Sequence, residues 1–88
     1  MKRNEQYLLK TVADSHVVVP VGKAAEAFPG MVNLNATGAY LWELLEQEQT
    51  VESLANALVS RYGIGQEQAV ADVQAYLSGL LKIGAVLA

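Results

Sequence analysis

The sequence predicts an α+β fold in which strands come before helices. Two runs in the first third, Tyr7–Val12 and residues 16–21, are rich in β-branched and other apolar residues, as strands are. In the remaining two thirds, apolar residues recur at helical spacing between residues that favour helix ends. A chain of 88 residues is long enough for one hydrophobic core, so we expect residues 1–88 to form one domain.

The first two strands are expected to form a hairpin. Residues 13–15, Ala-Asp-Ser, form a short polar segment between the two strand-like runs and suit a tight turn. Pro20 has no backbone N–H to donate, so it should lie at a strand end or at an outer edge. Because a short turn joins them, the two strands are predicted to pair in antiparallel orientation.

A third strand is predicted over residues 31–34, Met-Val-Asn-Leu. Phe28, Pro29 and Gly30 precede it and are typical of a turn. Residues 22–27 show no clear period, and the sequence does not assign them to an element.

Three helices are predicted in the rest of the chain. Asn35 is a suitable N-cap for a first helix ending near Gln47, and Thr50 for a second helix that breaks at Gly63. The third helix is predicted over residues 66–83, with an apolar sector of roughly 160° that is wider than core packing alone requires. Gly84 should end it, and residues 85–88 either form a short strand or dock against the core.

Composition argues against nucleic-acid and membrane partners. The formal net charge is −3 and the 6 basic residues are scattered, whereas phosphate binding needs lysines and arginines clustered on one face. No apolar run approaches the roughly 20 residues that cross a bilayer, and no signal-peptide apolar region develops. We therefore expect a cytoplasmic protein with no nucleic-acid or membrane partner.

The residues needed for catalysis or metal binding are not assembled in this sequence. His16 is the single histidine and there is no cysteine, so paired imidazoles and thiolate ligands are not available. Glycine-rich phosphate motifs and the nucleophile-elbow motif are also missing. We expect His16 at a sheet edge or hairpin end, and Tyr40, Trp42 and Tyr76 in the core. The protein is predicted not to be an enzyme and to need no cofactor or metal.

Residues 34–45, Leu-Asn-Ala-Thr-Gly-Ala-Tyr-Leu-Trp-Glu-Leu-Leu, resemble the L-N-x-T-G-x-x-[IL]-W-x-L-L signature that opens the first helix of PqqD-like proteins. Residues 50–54 resemble that family's second helix start, and residues 71–87 resemble its third helix and closing segment. The resemblance covers about residues 7–88. Within the signature we expect Asn35 to cap the helix, Gly38 to permit close approach to a strand, and Trp42 to fill the core.

The resemblance implies a winged-helix-like domain of three antiparallel strands followed by a three-helix bundle. It also implies that the protein recognises the leader of a ribosomally made precursor peptide and acts with a separate modifying enzyme, often a radical SAM protein. In such domains the leader adds as a strand beside the third strand, in a cleft walled by the third helix. Strand addition of this kind gains affinity from backbone groups and specificity from alternate side chains. The resemblance does not assign the chain to synthesis of PQQ rather than to another modified-peptide pathway.

The expected peptide site combines the third strand with the facing wall of the third helix, although the sequence leaves open which flank of that helix lines the groove. The predicted site residues are Gly30, Met31, Val32, Asn33, Leu34, Val70, Val73, Gln74, Leu77 and Leu81. Asp72 is either a solvated helix residue or a partner for a leader Lys or Arg. Two other functions stay open: a nucleic-acid-binding winged helix, which the fold permits, and a homodimer or other homo-oligomer formed through the exposed strand edge.

Overall fold

The computed structural model describes residues 1–27 and 30–88 of the chain. Four strands and one short helix come first, three longer helices follow, and a short strand comes last. The elements in chain order are β1 (Lys2–Arg3), β2 (Tyr7–Val12), β3 (Ser15–Pro20), α1 (Lys23–Ala27), β4 (Val32–Leu34), α2 (Ala36–Leu44), α3 (Val51–Tyr62), α4 (Gln66–Lys82) and β5 (Val86–Leu87). The predicted α+β class, with three antiparallel strands before the long helices, is confirmed.

The main sheet has three strands in the order β2-β3-β4. β2 and β3 form the predicted hairpin, in which Val12 pairs with Ser15 across a two-residue turn. Ala13 begins that turn with φ of 54°, a left-handed conformation that non-glycine residues rarely adopt. His16 lies at the hairpin end as predicted and its Nδ1 is 3.0 Å from the Thr11 hydroxyl. Pro20 ends β3, also as predicted.

The helix ends follow the capping residues that the sequence predicts. The Asn35 side chain accepts a hydrogen bond from the Gly38 N–H at 2.7 Å and starts α2. Thr50 starts α3 through a reciprocal pair of hydrogen bonds with Ser53. Gly63 ends α3 in the left-handed region, with φ of 67°. Helix α2 ends at Leu44, three residues before the predicted end near Gln47.

A second, two-stranded sheet joins the chain ends. β1 pairs with β5 in antiparallel register, Arg3 opposite Val86. Val86 and Ala85 are buried, so the closing segment both forms a strand and docks on the core. The sequence does not predict β1, because its partner strand lies at the opposite end of the chain.

The core lies between the main sheet and the three long helices. Trp42, Leu45, Leu54, Leu58 and Val73 are among its fully buried side chains. The burial of Trp42 confirms the prediction that this residue of the signature fills the core. Tyr40 and Tyr76 are partly buried and pack against this core.

Residues 22–27, which the sequence left without an element, include the short helix α1. Ala24 is the residue of α1 that reaches the core. The predicted turn at Phe28 and Pro29 lies outside the described residues. In the described parts of the chain, no helix is long and apolar enough to span a membrane.

Candidate functional site

Strand β4 is an edge strand of the three-stranded sheet, and no strand in residues 1–27 or 30–88 pairs with its outer side. The Val21 N–H, just past β3, donates to the Gln6 carbonyl at 2.7 Å, so this residue bonds toward β2. Bonding direction alternates along an antiparallel strand, so Val18 and His16 bond toward β4. Their partners in β4 are Val32 and Leu34.

The backbone groups of Asn33 point in the opposite direction to those of its two neighbours. Val32 and Leu34 direct their N–H and C=O groups to β3, so Asn33, between them, directs both groups to the open edge. Its side chain is exposed, whereas those of Val32 and Leu34 are half-buried against the core. An added strand would therefore bond to Asn33 and lay alternate side chains over Val32 and Leu34.

Tyr76 of α4 fixes the helix beside the end of β4. Its hydroxyl donates to the Gly38 carbonyl at 2.9 Å. Burial raises the pKa of Tyr76 above its ordinary value, so the phenol stays neutral and remains a donor. A Cβ on Gly38 would lie 3.3 Å from each of the Leu34 Cβ, the Asn35 Oδ1 and a Tyr76 ring carbon. Glycine at this position therefore permits the close junction of β4, α2 and α4.

A cavity of about 350 Å³ lies between α2 and α4, next to this junction. Leu41 and Leu58, both buried, provide apolar lining. Asp72 is the one charged side chain among the lining residues and accepts a hydrogen bond from the Gln68 amide at 2.8 Å. The remaining lining residues are Asn35, Thr37, Gly38, Ala75 and Tyr76.

The opposite edge of the main sheet is also open. By the same alternation, Leu9 and Thr11 of β2 direct their backbone groups away from β3. A cavity of about 540 Å³ lies beside this edge. Its lining residues are Arg3, Glu5, Tyr7, Leu8, Leu9, Lys10, Trp42 and Glu43. The main sheet therefore has two open edges, and a bound peptide strand could pair with either β2 or β4.

Comparison with known proteins identifies the family. Residues 15–86 match the family described as Coenzyme PQQ synthesis protein D (PqqD). The chain belongs to the PqqD family. No curated protein sequence gives a significant match.

Two solved structures resemble this PqqD-family chain over nearly its whole length. One is TbiB1 in complex with the TbiA(beta) leader peptide, at a TM-score of 0.76 and 20% identity, covering 97% of this chain and 93% of that one. The other is a lasso peptide synthetase B1 complexed with the leader peptide, at a TM-score of 0.77 and 18% identity, covering 99% of this chain and 96% of that one. At these identities the likeness shows a shared fold.

The structure brings only part of the predicted site of this PqqD-family chain together. Gly30, Met31 and Asn33 are exposed, and Met31 immediately precedes β4 rather than belonging to it. With Val32 and Leu34 they form a continuous segment at the open edge. This half of the predicted site stays available to a peptide.

The predicted helix half needs correction. Val73 and Leu77 are 0% and 2% exposed, so they belong to the core and offer no surface to a peptide. Gln74 is two positions from Tyr76 and therefore points about 160° away around α4.

Val70 and Leu81 also lie on the flank of α4 away from Tyr76, by the same helical spacing. The flank next to β4 carries Asp72 and Tyr76 instead, which the predicted site left out. A wide apolar sector does not show which flank meets the sheet. The signal that could have identified it is Gly38, because a glycine at a predicted helix–strand contact marks where a third element comes close.

Proposed function

We propose that this protein is a non-catalytic recognition module that binds the leader of a ribosomally made precursor peptide by strand addition to β4. The observation that carries the proposal is the open edge at Asn33, beside a helical wall held by Tyr76. Membership of the PqqD family supports it, as do the two leader-peptide complexes that share this fold.

The direction of the backbone groups predicts how the peptide binds. One peptide residue exchanges hydrogen bonds with Asn33, and its two neighbours face the half-buried Val32 and Leu34. Burying each of these neighbours contributes about 1.5–3 kcal/mol if it is a fully buried aliphatic or aromatic side chain. The leader residue opposite Val32 should therefore be apolar, and the residue opposite Leu34, two positions away, should present apolar surface at least along its stem.

Chemistry on the peptide is assigned to a separate modifying enzyme. The family resemblance favours a radical SAM protein, whereas the two structural neighbours are lasso-peptide proteins, so the class of enzyme is part of the proposal. Residues 1–88 as one domain, a cytoplasmic location and the absence of a nucleic-acid partner likewise stand as predictions from the sequence.

The test is a titration of isotope-labelled protein with synthetic precursor peptides copied from short reading frames near this gene, monitored through the backbone amide signals. We expect the largest shifts at Met31, Asn33 and the Tyr76 flank of α4. Shifts confined to Leu9, Thr11 and the neighbouring cavity would instead assign the peptide to the β2 edge.

A homodimer is the second candidate, and a specific observation favours testing it. Within the described residues, both outer strands of the main sheet lack a partner on their outer side, and an open edge can pair with its own copy. Sedimentation of the free protein and of the peptide complex separates the cases. If a dimer dissociates as the peptide binds, a second copy of the chain and the peptide compete for the β4 edge.

A further inference from the structure

The cavity between α2 and α4 has the features of a slot for one amphipathic side chain. Leu41 and Leu58 line it from within the core at 2% and 0% exposure, so the surface that it offers comes from Thr37, Ala75 and Tyr76, while Asp72 is exposed to solvent. At about 350 Å³ it lies at the lower end of the range for ligand pockets. Such a volume suits a side chain rather than a whole cofactor.

The charge of this cavity is one-sided. Within residues 1–27 and 30–88, no lysine, arginine or histidine nitrogen lies within 4.0 Å of Asp72. The carboxylate accepts one hydrogen bond at Oδ1, from Gln68, which is a neutral donor. Tyr76 also lines the cavity, and the face of an aromatic ring attracts cations.

The cavity is next to the proposed peptide position. Leu34 ends β4, Asn35 is both the following residue and part of the cavity lining, and Tyr76 connects the two through Gly38. A peptide residue opposite Leu34 points to the inner side of the sheet, where these groups lie. A long side chain at that position would therefore lie near the cavity.

We propose that this cavity is a subsite for one Lys or Arg side chain of the bound peptide, with its aliphatic part along Ala75 and Tyr76 and its charged end at Asp72. Lysine and arginine bury their methylene groups on apolar surface and keep the charge at a polar rim. A purely apolar side chain would shield the carboxylate from water without pairing it, which is unfavourable. The inference rests on the proposed function and names the chemistry that the site selects.

The experiment is selection of displayed random 12-residue peptides on immobilised wild-type protein and on three variants. Asp72→Asn keeps the shape and removes the charge, and Asp72→Lys reverses it. Glu67→Gln is the matched control, because Glu67 is an exposed acid on the same helix outside this cavity.

We expect wild type and Glu67→Gln to enrich Lys or Arg at one fixed position, two residues from an apolar position. Asp72→Asn should lose the basic preference but keep the apolar one, and Asp72→Lys should favour Asp or Glu. For one synthesised peptide, Asp72→Asn should weaken binding about two- to fivefold, the range of exposed ion pairs, and high salt should reduce the difference.

Three results would overturn the subsite. Aromatic or aliphatic residues could be enriched at the fixed position, or the basic preference could survive in Asp72→Asn, or it could disappear in Glu67→Gln as well. Failure of the proposed function looks different: the selected peptides would then bind Asn33→Pro as well as wild type, and that result would remove both proposals.

Discussion

Replacing Asn33 with proline tests the strand-addition site at a single backbone group. Asn33 directs its N–H to the open edge, so proline removes a donor that the β3–β4 pairing does not use. Proline is tolerated at edge strands in this orientation. The fold should therefore survive, while the bound peptide loses one hydrogen bond.

The size of the effect follows from the peptide carbonyl that loses its partner. An unsatisfied acceptor in a partly buried position costs about 1–3 kcal/mol. Since about 1.4 kcal/mol corresponds to tenfold in affinity, binding should weaken between about fivefold and a hundredfold. Isothermal titration calorimetry with the precursor peptide measures this directly, and urea unfolding checks that stability is kept.

Two further proline variants show whether the effect is specific. Thr11→Pro removes an outward N–H from the other open edge, so peptide affinity should stay at the wild-type value. Val32→Pro removes an N–H that points to β3, so it should lower stability as well as binding. If Thr11→Pro weakens binding and Asn33→Pro does not, the edge assignment is refuted.

Three predictions concern stability and are read from urea unfolding. Ala13→Gly should stabilise the fold by about 0.5 kcal/mol. Glycine adopts the left-handed conformation without the cost of about 1–2 kcal/mol that alanine bears, and this gain exceeds the entropy that glycine adds to the unfolded chain. A loss of stability would contradict this. Gly38→Ala should destabilise by about 1 kcal/mol, since contacts at 3.3 Å to Leu34 and Tyr76 outweigh the helix propensity gained; a gain in stability would show that the junction can relax. Leu77→Ala should cost about 2–5 kcal/mol because Leu77 is in the core, and Leu81→Ala, on the exposed flank, serves as its control.

Local signals in the sequence predict much of this fold. Asn35, Thr50 and Gly63 define helix ends through contacts within a few residues, so their residue types are informative by themselves. The hairpin is equally local, because Val12 and Ser15 pair across two residues.

What the sequence does not predict depends on distant contacts. β1 is a strand because Arg3 pairs with Val86, and no local pattern at Lys2–Arg3 indicates that. The five-residue helix α1 is too short to show a period.

The candidate site also has one part that the sequence predicts and one part that depends on distant contacts. The sequence predicts the edge segment around Asn33, because a short strand-like run follows residues that are typical of a turn. The flank of α4 is decided by the hydrogen bond from Tyr76 to Gly38, which joins residues far apart in the chain. An apolar sector spanning both flanks fits Gln74 as well as Asp72, so periodicity alone selects neither.

The most direct test of peptide recognition on β4 is an isotope-filtered NMR experiment on labelled protein with unlabelled precursor peptide. Strand addition predicts contacts from the Asn33 amide proton to a peptide backbone proton, and from the Leu34 side chain to a peptide side chain. Contacts found only at Leu9 and Thr11, with none at Asn33, would contradict the account.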